Sequence, residues 1–106
     1  MQSVTKKKMA GAIINPYTKI NRHVIINTGA IIEHDCVIED FVHISPNATL
    51  AGDVKIGKES WIGMGSNVIQ GVEIGENVIV GAGSVVLGDV EKGKIVFGIV
   101  KSEYKV

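Results

Sequence analysis

The sequence predicts an all-β chain wound as a single-stranded parallel β-helix. Three observations on its 106 residues carry that reading: a six-residue aliphatic period, a second and smaller residue locked to it, and corner-forming residues between the repeats.

The aliphatic series runs Ile14, Ile20, Ile26, Ile32, Ile38, Ile44, Leu50, Ile56, Ile62, Val68, Ile74, Val80 and Val86 without a miss. Two residues before each of these stands Ala12, Thr18, Val24, Ala30, Cys36, Val42, Ala48, Val54, Ser60, Ser66, Val72, Val78 or Ser84. A period of six is no multiple of 3.6, so it cannot keep one helix face apolar. Inward positions two apart suit a short strand, whose alternate side chains share a face. Asn15, Asn21, Asn27, Gly57, Gly63, Gly75 and Gly81 directly follow aliphatic residues, and these types accept the tight or positive-φ backbone of a corner. Each hexad is therefore a strand followed by a bend.

Composition agrees and narrows the function. Apolar residues make up 45 %, aromatics only 5 %, and glycines number 13, which suits thin repetitive β structure filled by Val and Ile. Eleven basic and eleven acidic residues cancel, leaving no field of one sign to recruit nucleic acid or an anionic membrane. No window has the length and apolarity of a signal peptide or a membrane span. Cys36 is the one cysteine and occupies an inward slot, so a reducing, cytoplasmic setting is expected. One domain is expected: residues 1–11 as an N-terminal cap or frayed end, 12–90 as the β-helix, and 91–106 as a C-terminal tail. Lys92 breaks the aliphatic series, and residues 95–106 read as a departing strand or hook.

This repeat, over residues 12–90, resembles the hexapeptide-repeat family. In that family three hexads make a triangular coil, and the coils stack with left-handed connections, against the usual right-handed rule. The resemblance thus implies a left-handed β-helix of about four coils, with equivalent positions roughly 4.8 Å apart in neighbouring coils. It also implies a homotrimer, because one thin prism with open strand edges at its ends is poorly stable alone.

The run Ile26-Asn27-Thr28-Gly29-Ala30-Ile31-Ile32-Glu33-His34-Asp35-Cys36 is the most informative in the chain. It resembles the signature of bacterial sugar acetyltransferases that act on sialic acid or on the amino group of nucleotide-linked 4-amino sugars. That resemblance implies His34 as the general base, a task suited to an imidazole whose pKa lies near operating pH, and Asp35 as the group that orients its ring. Two residues past inward Ile32, His34 also falls at an outward or corner slot.

His43 lies nine residues further, half of an eighteen-residue coil, so it cannot sit beside His34 in one subunit but can meet it across a trimer interface. The resemblance implies that it contacts acetyl-CoA. Gly52, eighteen residues past His34, should stand one coil above it, and its N–H is implied as a donor to the thioester carbonyl. Met64 and Ala82 are again eighteen apart, and their main chains are implied as the binding edge for the pantetheine arm. The family ending Gly-Asn/Val-Pro-Ala-Lys/Arg is present only as Gly98-Ile99-Val100-Lys101, without its proline, and Lys101 is expected to meet a CoA phosphate.

The expected activity is direct acetyl transfer from acetyl-CoA to a hydroxyl or amino group of a sugar or nucleotide-linked sugar, with no metal. The competing expectation is a truncated, non-catalytic trimeric scaffold or CoA-binding protein, since the resembling enzymes usually carry an N-terminal α/β subdomain and this chain begins inside the β-helix. His23 matches no functional position, and Trp61 is expected to pack between subunits. A zinc-dependent carbonic anhydrase of the same architecture would need a close histidine pair and a third about two coils away. The spacing of His23, His34 and His43 provides neither.

Overall fold

The computed structural model describes residues 6–102; the outer parts of the expected cap and tail, residues 1–5 and 103–106, lie outside the described residues. The chain is a left-handed β-solenoid of about five turns with three flat faces. Face I stacks Lys6–Lys8, Val24–Ile26, His43–Ile44, Trp61–Ile62, Ile79–Val80 and Ile95–Val96. Face II stacks Ile13–Ile14, Ile31–Ile32, Thr49–Leu50, Asn67–Val68, Val85–Val86 and Ile99–Val100. Face III holds Lys19–Ile20, Val37–Ile38, Lys55–Ile56 and Glu73–Ile74. All pairings are parallel, with partners such as Ile31 and Thr49 one eighteen-residue coil apart.

The aliphatic series fills the interior as the period requires. Ile26, Ile44 and Ile62 line face I, Ile32, Leu50 and Val68 line face II, and Ile38, Ile56 and Ile74 line face III, each at most 2 % exposed. Burying each such side chain contributes about 1.5–3 kcal/mol, which is what holds so thin a body together. The smaller slot fills the inside of each corner, where side-chain room is least. Buried Ser60 is satisfied there, its hydroxyl donating to Gly75 O at 2.8 Å and accepting from Val78 N–H at 3.0 Å. Cys36 is sealed in the same kind of slot, and burial pushes its thiol pKa above the ordinary value.

The corners differ from the sequence reading in which residue takes the left-handed conformation. Gly57, Gly63, Gly75 and Gly81 do not; the positive φ comes two residues later in each hexad, at Tyr17 (63°), Asp35 (60°), Phe41 (61°), Glu59 (63°) and Gly65 (69°) among others. The glycines after the aliphatic residue answer a different need. A Cβ on Gly63 would lie 2.7 Å from Ala82 N, so here one coil's backbone rests directly on the next.

The ladder also continues past residue 90, and Ile95–Val96 and Ile99–Val100, in the stretch expected as a departing strand or hook, are strands that stay paired to the solenoid. Ile79 pairs with Ile95 and Val85 with Ile99, at offsets of sixteen and fourteen instead of eighteen. The last coil shortens and its corner between faces I and II shrinks to Phe97-Gly98, which breaks the six-residue series without breaking the sheet. At the other end Lys6–Lys8 pairs with Val24–Ile26. Among the described residues, no helix is long and apolar enough to cross a membrane.

Candidate active site

The corner between faces II and III presents His34. The chain turns there because Asp35 adopts the left-handed conformation, which aspartate tolerates better than most residues, and Cys36 then re-enters the core. The turn folds the Asp35 carboxylate back onto the preceding ring, with His34 Nδ1 3.0 Å from Asp35 Oδ2. An ionised carboxylate only accepts, so Nδ1 is the donor of this bond, and a neutral ring held this way has its lone pair at Nε2. Both side chains are 57 % exposed.

One coil further along the same corner lies Gly52. Asp53 N–H donates to His34 O at 2.9 Å, which locks the two corners in register. The imidazole lies on Gly52: a Cβ there would stand 2.7 Å from both Cε1 and Nε2 of the ring. Among the described residues the Gly52 N–H donates to no acceptor, while its carbonyl accepts from Gly71 N–H at 3.0 Å.

His43 lies elsewhere, on the outer side of face I between Ile25 and Trp61 in the ladder. Its Nε2 is 3.3 Å from Asn27 Nδ2, and the Trp61 ring meets it edge-on at 4.7 Å and 74°. Burial of the ring lowers its pKa below 6.5. Trp61 is half-exposed and its defined contact is to His43 of its own chain. Sequence reasoning took Asn27 only as a corner residue and part of the signature run, and missed its side-chain contact. The only available signal was a polar residue at the end of the strand beside the one that bears His43.

Met64 and Ala82 line the corner between faces I and II, which follows the strands stacked above His43 on face I. Gly83 N–H donates to Met64 O at 2.8 Å, stacking the two turns, and among the described residues neither the Met64 nor the Ala82 N–H has an acceptor. Lys101 is exposed on the last coil of the His34 corner, next to Ser102, which packs on Gly88. The expected site residues therefore divide. His34, Asp35, Gly52 and Lys101 share one edge, and His43, Met64 and Ala82 belong to another. His23 stands at the third edge, stacked on Phe41 at 4.9 Å.

The structure is thus a left-handed β-solenoid with an outward His–Asp pair at one corner and, among the described residues, main-chain donors without acceptors along another. The chain belongs to the bacterial transferase hexapeptide family (six repeats), which matches residues 17–52 and 53–88. Among solved structures, it is similar to the acetyltransferase domain of PglB from Neisseria gonorrhoeae in complex with acetyl coenzyme A. That match has a TM-score of 0.85 and 37 % identity, and covers 92 % of this chain and 50 % of that one. PerB from Caulobacter crescentus, in complex with CoA and GDP-perosamine, matches with a TM-score of 0.84 and 39 % identity over 92 % of this chain and 49 % of that one. Serine acetyltransferase isoform 3 from Entamoeba histolytica, in complex with cysteine, matches at 0.78 and 28 % identity over 91 % of this chain and 37 % of that one. The chain thus spans about half the length of the first two, 50 % and 49 %.

Proposed function

We propose that this chain is an acetyl-CoA-dependent acetyltransferase that modifies a hydroxyl or amino group of a sugar or nucleotide-linked sugar, working in the cytoplasm as a homotrimer. The observation that carries the reading is the His34 imidazole, bonded through Nδ1 to Asp35 and lying on Gly52. Similarity to the PglB acetyltransferase domain supports it, and the GDP-perosamine bound to PerB suggests the acceptor class.

Nε2 of His34 takes the proton of the acceptor as its oxygen or nitrogen attacks the acetyl carbonyl, and Asp35 stabilises the imidazolium that results. The unpaired Gly52 N–H donates to the carbonyl oxygen, where negative charge develops. His34 then returns the proton to the departing sulfur. Acetyl-CoA supplies the acetyl group and the thiolate leaving group. Its pantetheine amides fit the second edge, where the free N–H groups of Met64 and Ala82 stand one coil apart, roughly 4.8 Å. Lys101, further toward the C-terminal end, suits a phosphate. Since the two edges lie apart in one chain, a complete site takes the His34 edge of one protomer and the His43 edge of the next, and a closed trimer forms three such sites.

Calorimetric titration with acetyl-CoA, followed by thioester turnover with a panel of amino sugars and nucleotide-linked amino sugars, tests this. His34→Ala should keep donor binding and lose roughly 10²- to 10⁴-fold in turnover. Binding with no turnover, the same in wild type and His34→Ala, would instead support the scaffold.

A further inference from the structure

Two contacts on the Asn27 side chain together fix a proton on His43. Asn27 Oδ1 accepts from Thr28 N–H at 2.7 Å, and a main-chain N–H can only donate. This orients the amide, so the atom 3.3 Å from His43 Nε2 is the NH2 group. An amide NH2 has no lone pair to offer, hence Nε2 is the acceptor. A ring that accepts at Nε2 carries its proton on Nδ1 and is neutral, because an imidazolium has no acceptor nitrogen.

The surroundings favour the same state. Ile25 and Trp61, the ladder neighbours of His43, carry no charge, and the edge of Trp61 backs the ring at 4.7 Å. Partial burial without a carboxylate partner disfavours the imidazolium. Among the described residues Nδ1 has no partner, so its N–H is free to bind something outside the chain.

We propose that Asn27 is a positioning residue that locks His43 in the neutral Nδ1–H form, making this histidine a fixed hydrogen-bond donor to a carbonyl oxygen of the bound acyl donor and not an acid or base. The ligand clause rests on the acetyl-CoA reading above; the lock itself rests on this chain alone.

Asn27→Asp separates the possibilities, because a carboxylate keeps the acceptor for Thr28 N–H but replaces the donor toward Nε2 with a second acceptor. Long-range ¹H–¹⁵N spectra of histidine-labelled protein at pH 7.5 should show Nδ1 protonated in the wild type and Nε2 protonated in Asn27→Asp. Acetyl-CoA titrations, run at about 0.5 M salt to screen the added charge, should weaken about tenfold in the variant. A wild-type ring protonated on Nε2, or a tautomer unchanged in Asn27→Asp, overturns the lock. A reversed tautomer with unchanged affinity overturns the donor role. Absence of any acetyl-CoA binding by the wild type defeats the ligand clause together with the proposed function, while the spectra judge the lock independently.

Discussion

Two residues next to His34 shape its task in different ways. Asp35 acts by charge: it bonds Nδ1 at 3.0 Å, yet both partners are 57 % exposed, so the pair adds little to stability. Asp35→Asn should lower kcat roughly ten- to hundredfold while the KM for acetyl-CoA and the melting temperature stay near wild type, read by steady-state kinetics and calorimetry. Gly52 acts by shape. A methyl group 2.7 Å from two ring atoms must push the imidazole off the coil, and an exposed ring can yield without unfolding the chain. Gly52→Ala should therefore fold normally and lose about 10²-fold or more in turnover; turnover close to wild type would show that the ring's seat on Gly52 is immaterial. These partners were legible in the sequence because they lie one and eighteen residues from His34, distances that the repeat converts directly into space. The Asn27–His43 contact spans sixteen residues, from a corner to a neighbouring strand, and no periodicity points to it.

At the scale of the hexad, the inward positions could be read from the sequence because burial demands aliphatic residues there. The left-handed position could not. Tyr17, Phe41 and Glu59 occupy it at φ of 63°, 61° and 63°, held by the ladder at about 1–2 kcal/mol each, so residue type gives no warning. The glycines consequently form two classes that the sequence does not distinguish. Gly65 is left-handed with open space where a Cβ would go, whereas Gly63 is not left-handed and rests on the backbone of Ala82. Gly65→Ala should cost about 1 kcal/mol, the strain alone. Gly63→Ala must drive two coils apart, and a loss of roughly 3 kcal/mol or more, or failure to fold, is expected. Denaturant unfolding of the two variants checks this; equal costs would mean that coil stacking is looser than the geometry requires.

Across the whole molecule, the regular middle of the solenoid was legible and its ends were not. The offsets of sixteen and fourteen in the last coil remove the period on which the reading depends, although strand pairing persists through Ile99–Val100. The eighteen-residue geometry also has a consequence for assembly. Residues half a coil out of step point different ways, so His34 and His43 stand on separate parts of one prism, and the proposed site must be shared between protomers. Mixing tests this directly. His34→Ala disables one edge and His43→Ala weakens the other; assayed at acetyl-CoA below saturation, the first alone should be nearly inactive and the second about tenfold down. When the two are unfolded together in equal amounts and refolded, the chains of the proposed trimer combine at random. A shared site is intact wherever a His43→Ala chain supplies its His34 edge to the His43 edge of a His34→Ala neighbour, which occurs at about one interface in four. The mixture should recover about a quarter of wild-type turnover, whereas a site contained within one chain would stay at about a twentieth, the average of the two variants alone.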